Sequence, residues 1–129
     1  MDIATHEKID REFCGTPTEL AEGYCRVELT ALDRMAVDEK GLVHGGFVFG
    51  LADYAAMLAV NDPNVVLAGA EAKFTRPVRA GETLTAKATV DTVENRKRIV
   101  TVSVNRGDTE VFNGRFSCFV LERHVLDQG

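Results

Sequence analysis

Residues 41–61 read GLVHGGFVFGLADYAAMLAVN, and this stretch decides the fold. Between residues 45 and 60 it carries one charge, Asp53, and is otherwise almost wholly apolar. A helix that is apolar nearly all round is usually buried on every side. The apolar run is shorter than the roughly 20 residues that are needed to cross a bilayer. We therefore predict a helix in the centre of a folded core and no membrane segment.

The segments around this stretch alternate between apolar and polar residues, as strands with one buried face do. Short turns rich in Gly, Asn, Asp and Pro separate them, so most of the sheet is expected to be antiparallel. The predicted fold class is α+β, with a five-stranded sheet wrapped round one long helix in a single domain over residues 1–129. The five predicted strands are residues 23–31, 65–76, 83–92, 98–105 and 109–122.

Both ends of the chain give weaker patterns. Residues 2–13 show a thin helical pattern, which the sequence GTPT at residues 15–18 interrupts. The tail from Arg123 is polar, and we expect it to be frayed. The first residues are polar and acidic, so no signal peptide is indicated and a cytoplasmic location is expected.

Composition excludes several classes of function. The net charge of −5 argues against a nucleic-acid-binding face, which would be basic. The three cysteines show no spacing typical of a metal site, and we predict no metal. Cys25 and Cys118 are unlike activated nucleophiles, because neither has a neighbouring base in sequence.

Residues 38–53, DEKGLVHGGFVFGLAD, resemble the signature of the hotdog-fold acyl-CoA thioesterases of the phenylacetate-degradation type. That family typically carries Asn-x-x-Gly-x-x-His-Gly-Gly and then an acidic residue nine positions after the His. Residues 73–82, KFTRPVRAGE, are also similar to that family, as is the order of the strands. One position departs from the signature, because the common Asn is Asp38 here. The matching positions in this chain are Gly41, His44, Gly45, Gly46 and Asp53.

The resemblance implies a hotdog fold and the hydrolysis of acyl-CoA thioesters without a metal or redox cofactor. It also implies a homodimer or a dimer of dimers. In this family the acidic helix residue acts as general base or nucleophile, and the first Gly of His-Gly-Gly offers its backbone N–H to the thioester carbonyl. Those roles fall on Asp53 and Gly45.

Elementary geometry adds a consequence for assembly. The first N–H groups of a helix lack intrahelical partners, and glycine lets a carbonyl approach them closely. His44 and Asp53 are nine residues apart, which on a helix is about 13.5 Å of rise and about 900° of turn. One helix therefore cannot present both to one carbonyl, whereas two antiparallel helices of a two-fold dimer can. We predict a site composed from two subunits.

Each of these residues also has a purely structural interpretation. Asp53 could be a structural carboxylate that pairs with a Lys or Arg across an interface. His44 could pack or cap the helix start rather than transfer protons. Gly45 and Gly46 could serve only close helix packing. We rank catalysis first for Asp53 and positioning first for His44.

Substrate binding is predicted for further residues around the signature. A basic run could meet the phosphates of CoA, although such charges more often belong to solvated turns; it comprises Arg96, Lys97 and Arg98, together with Lys73 and Arg76. We expect an apolar pocket with Phe47, Phe49, Tyr54, Met57 and the strand from Ala68 in its lining, which suits aromatic and aliphatic acyl groups alike. The residues predicted to bind substrate are Asp38, Gly46, Phe47, Tyr54, Lys73, Arg76 and Arg98.

Two other functions compete with hydrolysis. A non-catalytic hotdog domain would bind acyl-CoA as a sensor or carrier, but the presence of Asp53 and the expected lack of a DNA-binding module disfavour it. A hydratase or dehydratase would need a catalytic His at a different spacing from its acid. The acyl group itself stays open.

Overall fold

The computed structural model describes residues 1–127. A short helix, α1 (Arg11–Cys14), precedes the central helix, α2 (Gly45–Val60), whose bounds confirm the prediction. His44 precedes α2 in an extended conformation, and Asn61 ends it in the left-handed region with a φ of 52°. Nine residues of α2 are buried: Val48, Leu51, Ala52, Tyr54, Ala55, Ala56, Met57, Leu58 and Ala59.

The sheet has six strands rather than the five predicted. The strand that the sequence analysis missed is an exposed edge strand that contains Pro17, and such strands give little alternation. The order across the sheet is β1-β2-β4-β5-β6-β3, and every neighbouring pair is antiparallel. The strands are β1 (Thr16–Ala21), β2 (Tyr24–Thr30), β3 (Val65–Phe74), β4 (Thr83–Glu94), β5 (Lys97–Arg106) and β6 (Thr109–Val120).

A second difference concerns the neighbours of β3. The strand lies at the sheet edge opposite β1 and pairs with β6, from Val65 opposite Val120 to Phe74 opposite Phe112. Residues 75–82 are therefore not a hairpin turn, because they carry the chain from this edge to β4 in the middle of the sheet. This connection contacts the loop before α2, where the Val43 N–H donates to the Val78 carbonyl at 2.8 Å.

The core lies between α2 and the inner face of the sheet. Its largest buried side chains include Tyr54 and Leu51 from α2 and Phe112 and Phe116 from β6. In the tail that was predicted to fray, a 3-10 turn forms at Val125–Asp127, and residues 128–129 lie outside the described part of the chain. None of the helices within residues 1–127 combines the length and apolarity that crossing a bilayer requires.

Candidate functional site

Asp53 lies in the middle of α2 and is partly buried. Its Oδ1 is fully buried and has no hydrogen-bond partner within residues 1–127. Burial disfavours the charged form and raises the pKa of Asp53 from 3.8 to about 6. A buried carboxylate oxygen without a donor is costly, so this atom is suited to accept a hydrogen bond from a ligand or a water.

Asp53 lines a pocket of about 570 Å³. One wall comes from the end of α2 and the start of β3. The other walls come from the two ends of the chain, which the sequence analysis did not include in the site. The wall residues that matter below are Thr5, His6, Met57, Asn64, Val65 and His124.

No sequence motif marked these terminal residues, since their placement depends on tertiary contacts. The side chain of Asn61 accepts a hydrogen bond from the Ala4 N–H at 2.7 Å and donates one to the Asp2 carbonyl at 2.9 Å. The end of α2 therefore holds the N-terminal segment beside Asp53.

The beginning of α2 presents unpaired donors. Within the described part of the chain, no acceptor takes the backbone N–H of Gly45 or Gly46, as expected for the first turn of a helix. His44 is exposed, and its ring stands over Gly46 so closely that a Cβ there would lie 2.8 Å from Nε2. Gly46 is thus required for this position of the His44 ring.

Gly45 borders a second pocket of about 320 Å³, which Val48, Phe74 and Arg76 also line. The Phe74 ring is 54% exposed. A Cβ on Gly45 would lie 3.2 Å from Cε1 of that ring, so a side chain here would crowd the pocket.

The two pockets are separate. Asp53 and Gly45 are eight residues apart on α2, which corresponds to about 12 Å along the helix axis. Within residues 1–127 they line different pockets, and one chain does not bring the carboxylate to the helix start.

Asp38 shapes the loop that leads to α2. Its Oδ1 accepts the N–H groups of Lys40 at 3.0 Å and Leu42 at 3.2 Å. A bridge between Leu42 and Arg79 fixes the same loop against the connection to β4. The amide oxygen of an Asn could accept the same two hydrogen bonds, so this local role is open to either residue.

Three of the basic residues predicted to bind CoA lie apart from one another: Lys73, Arg76 and Arg98. Arg76 lines the Gly45 pocket, and its NH1 donates to the Thr75 carbonyl at 2.7 Å. Arg98 is held at the β4–β5 turn, where its NH1 donates to the Asn95 carbonyl at 2.8 Å. Lys73 is opposite Asn113 on β6, and Arg98 is opposite Cys118. Five residues of β6 separate these positions, about 17 Å along the strand, so one chain does not bring Lys73 and Arg98 together.

The aromatic residues fall into two groups. Phe47 is half-buried and stacks on Phe13, with ring centroids 5.6 Å apart. Phe49 packs against Phe116 at 5.5 Å, on the sheet side of α2. The prediction for Tyr54 is corrected, because its side chain is 2% exposed and belongs to the core rather than to a substrate surface. Ala68 is exposed where β3 bulges against β6.

Known proteins resemble this chain over parts of their length. It is 51% identical over 116 residues to the methylthioribose-1-phosphate isomerase of Aquifex aeolicus, a match that covers 90% of the chain and 25% of that protein. It is 36% identical over 80 residues to the transcription factor FapR of Bacillus subtilis, which covers 60% of the chain and 43% of that protein. The chain thus spans less than half of these relatives.

Solved structures match over more of their length. A protein from Pyrococcus horikoshii is 54% identical, with a TM-score of 0.97 over 98% of both chains. The Escherichia coli PaaI protein from the phenylacetic acid degradation operon is 28% identical, with a TM-score of 0.74 over 80% of both chains. The family model described as thioesterase superfamily matches residues 40–112, which include α2 and β3 to β5. The chain has the hotdog fold and belongs to the thioesterase superfamily.

Proposed function

We propose that the protein hydrolyses acyl-CoA thioesters to the free acid and CoA. The observation that carries the proposal is Asp53 itself, which lines a pocket and has a buried, unpartnered Oδ1. In a thioesterase-superfamily chain, this is the position at which the family signature has its acidic residue.

Hydrolysis requires an activated nucleophile and donors for the oxygen that becomes negative. As general base, Asp53 takes a proton from a water whose oxygen bonds to the thioester carbonyl carbon. As nucleophile, its own carboxylate oxygen attacks, and water then hydrolyses the resulting anhydride. In both forms of the reaction the C–S bond breaks and CoA leaves as the thiolate.

The donor for the carbonyl oxygen is the Gly45 N–H of a second subunit. The separation of Asp53 and Gly45 along α2 requires this arrangement, since two antiparallel helices bring the carboxylate of one next to the start of the other. The outer edge of β3 and the exposed Phe74 ring support a two-fold interface on this side of the sheet. The proposed assembly is a dimer or a dimer of dimers, with two sites per dimer.

The remaining substrate contacts follow from this site. Arg76 lies in the Gly45 pocket and is the basic residue best placed to meet a phosphate. Lys73 and Arg98 contact CoA only if different subunits contribute them. Phe47 and Gly46 lie next to the donor, and His44 positions the helix start, while Asp38 holds the preceding loop.

Turnover of a panel of aliphatic and aromatic acyl-CoAs, followed by release of the free thiol, tests the proposal. We expect hydrolysis of at least one member and its loss in Asp53→Asn. The matched control is Asp62→Asn, at an acidic residue just beyond the end of α2 that does not line the Asp53 pocket. Absence of turnover on every thioester would contradict hydrolysis.

A second candidate is acyl-CoA binding without turnover, as in a sensor or carrier. The similarity to the transcription factor FapR over 80 residues favours it. Calorimetry separates the two functions, because a binding domain would give a stable, stoichiometric complex with intact acyl-CoA and no release of free acid.

A further inference from the structure

The N-terminal segment, residues 2–6, contributes to the Asp53 site but lies outside the residues that the family model matches. The thioesterase match begins at residue 40. The segment is nevertheless fixed, since Asn61 at the end of α2 makes one hydrogen bond to Ala4 and one to Asp2. It brings an imidazole, that of His6, to the wall of the Asp53 pocket.

His6 is held in an unusual conformation. Its φ is 54°, in the left-handed region that is uncommon for residues other than Gly, although Asn, Asp and His are enriched there. Thr5 is 6% exposed, and its Oγ1 lies 2.8 Å from Nδ1 of His6. The Tyr54 ring lies 6.5 Å away between centroids. Because Thr5 engages Nδ1, the Nε2 atom is the ring nitrogen that remains for a ligand.

The charges around the imidazole decide what it can do. The pocket brings Asp53 from α2 and His124 from the C-terminal stretch to the same space, and Tyr54 packs against the ring. Burial lowers the pKa of His6 below 6.5, so the imidazole is neutral at neutral pH and accepts protons. Burial raises the pKa of Asp53 to about 6, which keeps the proton on its carboxyl to a higher pH than on a free Asp.

We propose that His6 is a second proton-transfer residue of the Asp53 site, oriented by Thr5 through Nδ1. The inference rests on the proposed hydrolysis with Asp53 as base. An O–H bond of the attacking water breaks, its oxygen bonds to the carbonyl carbon, and the proton goes to Asp53. The C–S bond then breaks and CoA leaves as the thiolate. The proton passes through pocket water to Nε2 of His6 and on to solvent, which returns Asp53 to its carboxylate form.

The first experiment measures the titration of His6 by NMR in the wild-type protein and in Asp53→Asn. His6→Asn identifies the signal, and Asn tolerates the left-handed backbone. Removal of the negative charge from the shared pocket should lower the pKa of His6. A pKa of His6 that is the same in both proteins would overturn the proposal. This measurement does not depend on turnover.

The second experiment measures kcat and KM of His6→Gly, a variant that keeps the backbone conformation and leaves room for an added base. We expect kcat to fall at least about tenfold, KM to stay within about twofold, and added imidazole to restore part of kcat. Glu7→Ala, at the exposed residue that follows His6, is the matched control and should retain full activity.

Two outcomes of this experiment overturn the proposal. One is a kcat of His6→Gly within twofold of wild type, and the other is a loss of activity through KM without rescue by imidazole. Both differ from failure of the proposed function, in which the wild-type protein itself hydrolyses no thioester. In that case the NMR titration still decides whether His6 and Asp53 share a proton equilibrium.

Discussion

Replacement of Asp53 by Asn should separate catalysis from stability. The folded-state pKa of Asp53 is about 6 against 3.8 for the free group, so the folded protein keeps the proton to a higher pH than the unfolded chain. Below about pH 4, Asp53 is protonated in both the folded protein and the unfolded chain. Its titration then leaves the free energy of unfolding unchanged. Stability then falls between about pH 4 and pH 6, and the penalty stays constant above that range.

The size of the penalty follows from the shift. A difference of about 2 in pKa corresponds to about 3 kcal/mol of unfolding free energy. The partner helix start in the proposed dimer offsets up to about 2 kcal/mol of this by favouring the carboxylate. Asp53→Asn, which keeps the shape and removes the charge, should therefore raise stability at pH 7 by about 1–3 kcal/mol. The gain should vanish near pH 4.

The assays are urea unfolding at both pH values and steady-state kinetics. We expect kcat to fall about 10²–10⁴-fold. For the wild type, kcat/KM should rise with pH around an apparent pKa at or below about 6, because the partner helix start favours the carboxylate. A stable variant with wild-type kcat would refute catalysis by Asp53. A variant that is less stable at pH 7, with normal activity per folded molecule, would show that Asp53 is a structural ion-pair partner.

Three further predictions concern the rest of the site. Gly45→Val should lower kcat far more than it raises KM, because the side chain would meet the Phe74 ring and displace the N–H donor; equal effects on both constants would indicate a packing role. Asp38→Asn should change the unfolding free energy by less than about 0.5 kcal/mol, since the amide oxygen can accept hydrogen bonds from both loop N–H groups. Asp38→Ala should lower the unfolding free energy by about 1 kcal/mol, and equal stability of the two variants would contradict this. Sedimentation should find at least a dimer at micromolar concentration, and a fully active monomer would refute the composite site.

The sequence by itself determined the central helix and most of the sheet. The apolar run from Gly45 to Val60 forms a helix with those bounds, because it has no strand-like alternation and ends at the turn residues from Asn61. All five predicted strands appear within a few residues of their predicted bounds. The family signature was also legible, since it depends on local spacing around His44 and Asp53.

Only the tertiary structure decided the remaining features. Strand β1 is exposed and contains Pro17, so burial left little periodic trace in its sequence. The separation of β3 from β4 depends on long-range pairing with β6, which no local pattern encodes. The same holds for His6, because it reaches the pocket through hydrogen bonds between residues 2–4 and Asn61, more than fifty positions away. The periodicity of apolar residues indicates which face of a helix or strand is buried. Contacts between segments that are distant in the sequence produce no such periodic pattern, so the sequence does not predict them.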